Sequence, residues 1–379
     1  MPAAPDIAVV VSTFERPAHL RRCLLSLAAQ RGVADRFEVV VADDGSRDGT
    51  ADVVARLQGE VNFPLHFSTH PHEGFQQARC RNNGIRSSTA PYLLFVDADC
   101  LLPPDHLSRQ LAARRPGVAR AGDCYRIDQE ASERIVDLGV RSGLFEERVV
   151  GSAAAWRRRR WLKAIYYQVA QRQDRPKLVG WNMAMWRADL ERVNGFDERF
   201  RGWGCEDDDL AARLRAAGVR IRTALGYTLG YHLWHPPHAT TPQSWRNGGN
   251  VPYLHRPIRL TSCLEGIESR PFSSLTMRTI AGPRHAAVAG EVAAAFRGSA
   301  AAADLDLVYW QAGLQWPRGR NPCLLLWDGI DPIPAAVKHC TRATVLLRPN
   351  PSAGTIVQSL DCLINGLAVD PDEVRQAAA

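Results

Sequence analysis

The sequence predicts an α/β fold built around a parallel, doubly wound sheet. Short apolar runs of strand length, such as 7–12 and 37–42, alternate with segments whose apolar residues recur at helical spacing. These runs are continuously apolar, which is typical of strands that helices bury on both faces. Strand and helix follow each other at short intervals, and that order favours a parallel sheet.

Four strands and three helices are expected to alternate over residues 7–99. The predicted strands are 7–12, 37–42, 65–67 and 91–99. The predicted helices are 19–30, 52–59 and 76–85. The first carries Leu20, Leu24 and Leu27 on one face, and Asp48 and Thr50 offer caps for the second.

Polar residues follow three of these strands where each one ends. They are Thr13, the pair Asp43 and Asp44, and the pair Asp97 and Asp99. Ligands of doubly wound sheets bind at the carboxyl ends of the strands. The sequence therefore predicts one shared site rather than three separate ones.

Length and composition describe an ordinary globular protein. The 379 residues suffice for one large domain and a smaller one. No apolar run reaches the roughly 18 residues of a membrane helix, and the N-terminus lacks the pattern of an export signal. Nine cysteines without a CxxC pair predict free thiols. We therefore expect a cytoplasmic location.

A basic segment, Trp156–Lys163, contains four consecutive arginines and contributes to the net charge of +7. Such a run usually forms a solvated face. The tryptophans at its ends leave open a peripheral contact with an anionic membrane surface, or a phosphate-bearing acceptor. We expect no nucleic-acid binding, because no helix-turn-helix, RNA-recognition or zinc pattern accompanies the charge.

Four consecutive acids, Glu206–Asp209, follow a Gly-Trp-Gly turn and begin a predicted helix. Acids in the first turn of a helix often only complement its dipole. A sugar, however, needs an aromatic face and strong hydrogen-bond acceptors, and Trp203 beside carboxylates offers both.

Two more motifs suit a nucleotide and its metal ion. The carboxylates of Asp97 and Asp99 are expected on the same side of a strand end, where they can bind Mn²⁺ or Mg²⁺. Asp43 and Asp44 can accept hydrogen bonds from a pyrimidine and a ribose, and the guanidinium of Arg81 suits phosphate oxygens.

Together these motifs resemble the pattern of family 2 glycosyltransferases over about residues 5–240. The matching segments are Thr13–Pro17 (TxxRP), 43–46 (DDGS), 81–84 (RNxG), 97–99 (DxD) and 206–207 (ED). Residues 203–209 also resemble the WGxEDDD segment of β-1,4-galactosyltransferases. The resemblance implies a GT-A fold, a nucleotide-sugar donor with UDP favoured, a divalent ion and inversion at the transferred sugar.

The resemblance also assigns the donor contacts. It implies that Asp43 and Asp44 contact the base and ribose, and that Asp97 contacts the ribose or the sugar. The segment 180–184 (GWNMA) looks like a family segment near the donor sugar, although an ordinary strand explains it equally well. The remaining expected donor contacts are Thr13, Arg16, Arg81 and Asn182.

Glu206 and Asp207 would face the acceptor. An inverting transfer needs one carboxylate that takes the proton of the attacking hydroxyl. We expect Asp207 to be this base, Glu206 to orient the acceptor and Trp203 to stack on its ring. The helix dipole is expected to keep both carboxylates ionised.

For the metal, the resemblance implies Asp99 and a histidine that follows the ED helix. His232 and His235 are predicted on opposite faces of an extended segment, so only one should meet Asp99. His232 is the first choice and His235 the second. Cys205 replaces the usual glycine of the galactosyltransferase segment and no Met-x-x-His pair is visible, so galactose is not favoured as the donor sugar.

Residues 270–379 are expected to form a small appended α/β region beside a catalytic domain of residues 1–268. An Ala-rich helix, three apolar strands and a final helix are predicted there. We found no acid or histidine cluster in it, and therefore expect an interaction or acceptor-positioning role.

The predicted function is metal-dependent, inverting transfer from a nucleotide sugar to a glycan or lipid-linked glycan. One alternative is a non-catalytic nucleotide-sugar or glycan-binding protein with a relic site. A nucleotidyltransferase is less consistent, because residues 12–20 (STFERPAHL) lack a glycine-rich phosphate loop.

Overall fold

A computed structural model describes residues 4–145, 150–170, 172, 174–237, 242–296, 303–317, 321–338, 343–346, 352–367 and 374–375. The chain divides into two compact units, Met1–Gly249 and Asn250–Ala379. Among the described residues, no helix has both the length and the apolar character that crossing a membrane requires. The eight cysteines within these ranges are free thiols.

The first unit is an α/β structure with two sheets. Its strands are β1 (Ile7–Thr13), β2 (Phe37–Asp43), β3 (Leu65–Thr69), β4 (Tyr92–Asp97), β5 (Cys100–Leu101), β6 (Val118–Ala121), β7 (Cys124–Arg126), β8 (Met183–Trp186), β9 (Arg220–Thr223) and β10 (Gly230–His232). Its helices are α1 (Pro17–Ala28), α2 (Thr50–Gln58), α3 (Gln77–Arg86), α4 (His106–Ala113), α5 (Gln129–Glu133), α6 (Asp137–Arg141), α7 (Val150–Val169), α8 (Arg187–Arg192) and α9 (Glu206–Ala216).

The large sheet has the order β3-β2-β1-β4-β8-β6-β9. Strands β1 to β4 pair in parallel, and β8 runs antiparallel to both of its neighbours. Every residue of β1 and β2 is buried, since helices cover both faces of the sheet. The predicted doubly wound, mostly parallel α/β sheet is confirmed.

Helix α1 illustrates how the sequence forms these elements. Pro17 occupies its first turn, where a missing N–H costs nothing. Leu20, Leu24 and Leu27 recur at helical spacing and are buried in the core with the side chains of β1. The predicted amphipathic helix is thus present, and it covers one face of the strand that it follows.

The first unit also contains a small three-stranded sheet of order β5-β10-β7. Its central strand β10 pairs antiparallel with β5, where His232 lies opposite Cys100. The fourth predicted strand therefore ends at Asp97 rather than at residue 99, and a two-residue turn leads into β5. This pairing brings the residue before β5, Asp99, next to the end of β10.

The second unit contains the helices α10 (Val251–Leu254), α11 (Ala286–Ala294), α12 (Ala335–Lys338) and α13 (Ala353–Asn365). Its sheet consists of β11 (Met277–Ala281), β12 (Leu305–Tyr309), β13 (Cys323–Trp327), β14 (Ala343–Leu346) and β15 (Val374–Arg375), in that order. The first four strands are parallel and β15 is antiparallel. Ile258, Leu260 and Leu264 pack into the core of this unit, although they precede the sequence-predicted boundary at 268–270.

Candidate active site

The predicted acids gather at the carboxyl edge of the first sheet. Thr13 lies opposite Asp43 across β1 and β2, and Ser12 lies opposite Asp97 across β1 and β4. The backbone of Asp44 donates to the carbonyl of Thr13 (3.0 Å), which links the two strand ends. The structure therefore brings these residues together, because parallel strands end at the same edge.

Asp99 is the centre of a cationic cluster. Nε2 of His232 lies 3.4 Å from its Oδ1, Nε2 of His235 lies 3.0 Å from its Oδ2, and Arg16 Nη1 donates to Oδ2 at 3.0 Å. One ligand atom from each of Asp99, His232 and His235 lies within 4.8 Å of the others. These three side chains therefore have the composition and spacing of a metal site.

The expectation that only one histidine meets Asp99 is wrong. It assumed an extended segment through residue 235, but β10 ends at His232. Beyond that point the chain leaves the strand, and the two imidazole rings lie with centroids 5.1 Å apart and planes tilted by 41°. Side-chain alternation therefore does not apply to His235.

Burial alone would raise the pKa of Asp99, but the surrounding groups reverse this effect. The hydrogen bond with His235 and the positive charges of His232, His235 and Arg16 hold the pKa well below its usual range. A carboxylate that stays ionised beside two imidazoles is suited to a divalent transition metal. The mixed oxygen and nitrogen donors fit Mn²⁺ better than Mg²⁺, which prefers oxygen.

Arg81 joins the end of β4 to the start of α9. Its buried guanidinium donates from Nη2 to Asp97 Oδ1 (3.3 Å) and from Nη1 to Glu206 Oε1 (2.8 Å). Gly180 makes room for it, because a Cβ at that position would overlap the guanidinium. The sequence predicted that Arg81 would contact phosphate. In this structure it binds two carboxylates.

Asp97 is the more exposed of the two acids of the DxD motif. Gln77 Nε2 donates to its Oδ1 at 3.0 Å, beside the contact with Arg81. Burial raises the pKa of Asp97, and the charge of Arg81 opposes that rise. Asp97 and Asp99 therefore have different partners and different electrostatic environments, although they lie two residues apart.

The turn before α9 uses backbone conformations that favour glycine. Gly202, Gly204 and Cys205 have φ values of 79°, 87° and 78°. The last is costly for a residue with a Cβ, and glycine is the usual residue of the resembling motif at this position. Trp203 on this turn is exposed, as a stacking surface for an acceptor requires.

Asp207 lies in the first turn of α9 among other acids. Its Oδ1 accepts from the backbone N–H of Asp208 at 2.7 Å. Burial, and then the charges of Glu206 and Asp208, raise the pKa of Asp207 to about 8. The expectation that the helix dipole keeps this carboxylate ionised is therefore wrong, because desolvation and like charges outweigh the dipole.

The other acids of this helix have fixed partners. Glu206 is buried against Arg81, Asp208 Oδ2 binds Lys177 Nζ (2.6 Å), and Asp209 Oδ2 binds Arg213 Nε (2.6 Å). Asp209 and Arg213 are completely buried, and this pair holds α9 to the rest of the unit through the carbonyl of Val193.

Asp43 and Asp44 are largely satisfied by their own loop. Asp43 accepts from the N–H groups of Gly45 and Ser46, the hydroxyl of Ser46 and the hydroxyl of Thr69. Asp44 contacts His70 Nε2 (2.9 Å) and the N–H of Gln76 (3.0 Å). Both carboxylates thus shape the edge of the site from a buried position.

Asn182 is also internal. It is fully buried, and its Nδ2 donates to the carbonyl of Asp123 at 3.0 Å. Its neighbour Trp181 donates from Nε1 to Asp123 Oδ1 (3.2 Å), and the indole ring lies 5.4 Å from the ring of His232. The GWNMA segment therefore positions groups around the histidine cluster.

Sequence reasoning missed several residues of the site. His70 and His72 follow β3, so the rule that identified the acids after β2 would also have identified them. His72 stacks on Phe14 with ring centroids 4.2 Å apart, and its Nδ1 lies 2.8 Å from the carbonyl of Asp44. Asp123 belongs to no motif, and only the fold shows its role.

Two family models match the chain in the order of its motifs. Residues 8–187 match "Glycosyl transferase family 2", and residues 160–236 match "N-terminal domain of galactosyltransferase". The first range contains the strand-end acids, and the second contains α9 and both histidines of the cluster.

Curated relatives and solved structures are similar to part of the chain. A validoxylamine A glucosyltransferase of Streptomyces hygroscopicus subsp. jinggangensis is 36% identical over 224 residues, which cover 57% of this chain and 52% of the relative. A chondroitin synthase of Escherichia coli is 26% identical, covering 66% of this chain and 39% of the relative. The chain thus spans about half the length of the glucosyltransferase and less than half the length of the chondroitin synthase. The structure of S. aureus TarS 1–349 in complex with UDP-GlcNAc has a TM-score of 0.46 and 17% identity, covering 66% of this chain and 64% of that one.

The doubly wound sheet and the acids at its carboxyl edge agree with the GT-A fold that the sequence resemblance implied. The two matched ranges overlap along the first unit and together contain every predicted site residue. In its motifs and its fold, the first unit of the chain is therefore similar to glycosyl transferase family 2.

Proposed function

We propose that the protein transfers a sugar, with inversion, from a nucleotide-sugar donor to a hydroxyl of a glycan or lipid-linked glycan. The observation that carries this proposal is the cluster of Asp99, His232 and His235 at the sheet edge that also carries Asp97. A metal-binding set beside strand-end carboxylates suits a diphosphate donor, because its phosphate oxygens need a cation.

Asp99, His232 and His235 would hold the divalent ion, and Mn²⁺ is favoured by their two nitrogen donors. When bound, such an ion supplies Lewis-acid stabilisation of charge on a leaving diphosphate. Arg16 adds a fixed positive charge at the same carboxylate. This side of the site thus concentrates cations around the place where the diphosphate would lie.

Support for the nucleotide comes from the neighbouring strand ends. The stacked rings of Phe14 and His72 offer an aromatic surface beside Asp44, which suits a flat base. The half-buried carboxylate of Asp97 remains the group best placed to accept from a ribose or sugar hydroxyl. A uridine base is our preference from the family resemblance.

Asp207 would accept the proton of the acceptor hydroxyl. A pKa of about 8 places this carboxylate near the pH at which a general base combines basicity with availability. Glu206 is fixed by Arg81 and would orient the acceptor, while the exposed Trp203 offers its ring to the sugar.

We also propose a peripheral contact between the outer face of α7 and an anionic membrane. Leu162, Tyr166 and Val169 are exposed at helical spacing, together with Arg158 and Arg159. Cosedimentation with vesicles that contain phosphatidylglycerol tests this contact. Equal binding by the Arg158→Gln/Arg159→Gln variant would contradict it.

The function itself is tested with a panel of UDP- and GDP-sugars. We expect one UDP-sugar to raise the melting temperature only when Mn²⁺ is present, and to be slowly hydrolysed to UDP. Hydrolysis that persists in excess EDTA would contradict the metal dependence. Binding of a donor without any hydrolysis or transfer would favour the alternative of a non-catalytic binding protein.

A further inference from the structure

The first unit contains a basic cavity that none of the predicted roles uses. Its volume is about 220 Å³, and it lies between α7 and the segment 175–179, beside the ends of β6 and β9. Arg160, Lys163 and Tyr167 line it from α7, with the spacing of one helical face. Arg175 and Lys177 line the opposite side.

The lining has an excess of positive charge. It contains four cationic side chains and one carboxylate, Asp123. That carboxylate is already bound by Arg160 Nη2 (2.5 Å) and Trp181 Nε1 (3.2 Å). The remaining acids nearby lie outside the lining: Asp208 pairs with Lys177, and Asp174 lies 3.8 Å from Arg175.

One cation of the lining is a buried donor without a partner in the described part of the chain, and another is exposed without an ion pair there. Nη1 of Arg175 is buried and has no hydrogen-bond partner there. Lys163 makes no ion pair with a described residue, and its Nζ lies 5.7 Å from the ring centroid of Tyr167. A buried donor without a partner is costly, and an anion in the cavity would remove that cost.

The cavity adjoins both halves of the candidate site. Asp123 binds Trp181, whose ring lies 5.4 Å from that of His232. Lys177 binds Asp208, the residue that follows the candidate base. A ligand in the cavity would therefore be one side chain away from the histidine cluster and from the start of α9.

The position of the cavity separates it from the expected donor contacts. The strand-end donor residues lie at the ends of β1, β2 and β4, whereas β6 and β9 form the other end of the seven-stranded sheet. Asn182 is the expected donor contact nearest the cavity, since its Nδ2 donates to the carbonyl of Asp123. Its volume is below the roughly 300 Å³ of a typical small-molecule site, so it suits one acidic group and part of the sugar that carries it.

We propose that this cavity binds the anionic group, phosphate or carboxylate, of an acidic acceptor sugar and thereby selects acidic acceptors. That the bound sugar is an acceptor rests on the proposed function. Binding of an anion in the cavity does not depend on catalysis. Part of the basic segment Trp156–Lys163 thus acquires a specific role, because Arg160 and Lys163 line the cavity whereas Arg158 and Arg159 do not.

The test is isothermal titration of the full chain with glucose 6-phosphate, glucuronate and glucose, with and without UDP and Mn²⁺. We expect an anionic sugar to bind at least about tenfold more tightly than glucose, since hydrogen bonds to charged groups are the stronger ones. Tighter binding of glucose 6-phosphate identifies a phosphate ligand, and tighter binding of glucuronate identifies a carboxylate ligand.

Lys163→Gln/Arg175→Gln should lower the affinity for the anionic sugar about tenfold or more and leave the affinity for glucose unchanged. Arg158→Gln/Arg159→Gln removes the same charge from the exposed face of α7 and is the matched control. Equal binding of glucose and the anionic sugars, equal weakening by both variants, or displacement of the anionic sugar by UDP would each overturn the proposal. Failure of UDP to bind would count against the proposed function and leave the anion titration interpretable.

Discussion

The two units place different chemistry at the same edge of similar parallel sheets. In the first unit, strands β1, β2 and β4 end in the residues of the candidate site. In the second, Arg284 and His285 follow β11 and Asp328 follows β13. Arg284 Nη1 contacts Asp328 (2.9 Å) and Asp331 (3.0 Å), and His285 Nε2 contacts Asp328 (3.1 Å). The second unit therefore also has an acid–histidine cluster, which sequence reasoning did not find.

The units differ in how charge is distributed over the edge. In the second unit, Arg284 lies between its two acids and balances them locally. In the first, Asp99 receives three cationic groups while Asp207 lies beside two further acids. Environments that move two carboxylate pKa values in opposite directions are typical of active sites. The carboxyl edge of a sheet therefore indicates where a site can form, and the distribution of charged residues at that edge indicates whether the site can be catalytic.

The largest effect is expected from Asp99→Ala, compared with Asp328→Ala in the second unit. Removing the central carboxylate of the cluster should lower Mn²⁺ affinity and donor turnover more than about 100-fold, the upper range for groups that merely support a metal ligand. Asp328→Ala should leave both nearly unchanged. Titration of Mn²⁺ and UDP release measure the two quantities.

Melting temperatures of both variants provide the control for folding. Similar losses of activity in the two variants would remove the contrast between the units. Normal activity of both Asp99→Ala and His232→Ala would contradict the assignment of these ligands.

Asp207→Asn is expected to lower turnover by about two to four orders of magnitude, as loss of a general base does. The amide is nearly isosteric and cannot take a proton, so donor affinity should persist. In the wild type, activity should rise as the pH increases through about 8, because the base must be ionised. Near-normal transfer by Asp207→Asn together with an inactive Asp208→Asn or Glu206→Gln would show that another carboxylate is the base.

The same variant should reveal a pH-dependent stability. Between the ordinary pKa of 3.8 and the raised value of about 8, folded Asp207 keeps a proton that the unfolded chain has lost. The free energy of unfolding therefore falls as the pH rises across this range. Asp207→Asn should have a higher melting temperature than the wild type near pH 8, and the gain should vanish near pH 4. An equal gain at both pH values would exclude this titration as the cause.

Cys205→Gly should stabilise the protein by between zero and about 1.5 kcal/mol. Relief of a left-handed conformation gains roughly 1–2 kcal/mol, and the extra freedom of glycine in the unfolded chain offsets about 0.4–1 kcal/mol. In the second unit, the left-handed position that ends α13 is already a glycine, Gly366 (φ 64°), so Gly366→Ala should destabilise. Urea unfolding followed by circular dichroism measures both. A destabilised Cys205→Gly would mean that the thiol contributes packing that outweighs the strain.

The smallest effect on donor binding is expected from removing residues 250–379. Every proposed donor and metal contact lies in Met1–Gly249, so a chain ending at Gly249 should bind UDP and Mn²⁺ as the full chain does. Loss of UDP binding by a truncated chain with a cooperative melting transition would show that the second unit contributes to the site.

The first half of the fold was predictable because its strands are continuously apolar and its helices are amphipathic. Those patterns identify β1 to β4 and α1 to α3, and the strand-end rule then brings Thr13, Asp43 and Asp97 to one edge. The details at the ends of elements were not predictable. Where β10 ends decides that both His232 and His235 reach Asp99, and such boundaries depend on tertiary pairing.

Electrostatic roles were the least accessible from the sequence. A motif identifies Arg81 as a cation and Asp207 as an acid, but neither the two carboxylates around Arg81 nor the desolvation of Asp207 has a local pattern. The contact between Arg81 and Glu206 joins residues 125 positions apart and forms only after folding. Which residues of the basic run line the cavity depended in the same way on where α7 packs.

The close approach of Gly180 to Arg81 has a consequence for how the protein can diversify. Any side chain at position 180 would displace the guanidinium. Asp97 and Glu206 would then lose the counter-charge that they share, and both would face a buried site as uncompensated anions. A mutational library should therefore tolerate only glycine here, while exposed Trp203 remains free to vary with the acceptor. Acceptor specificity can therefore change at the exposed rim of this site. The ion pairs of Arg81 with Asp97 and Glu206, in contrast, require that residue 180 has no side chain.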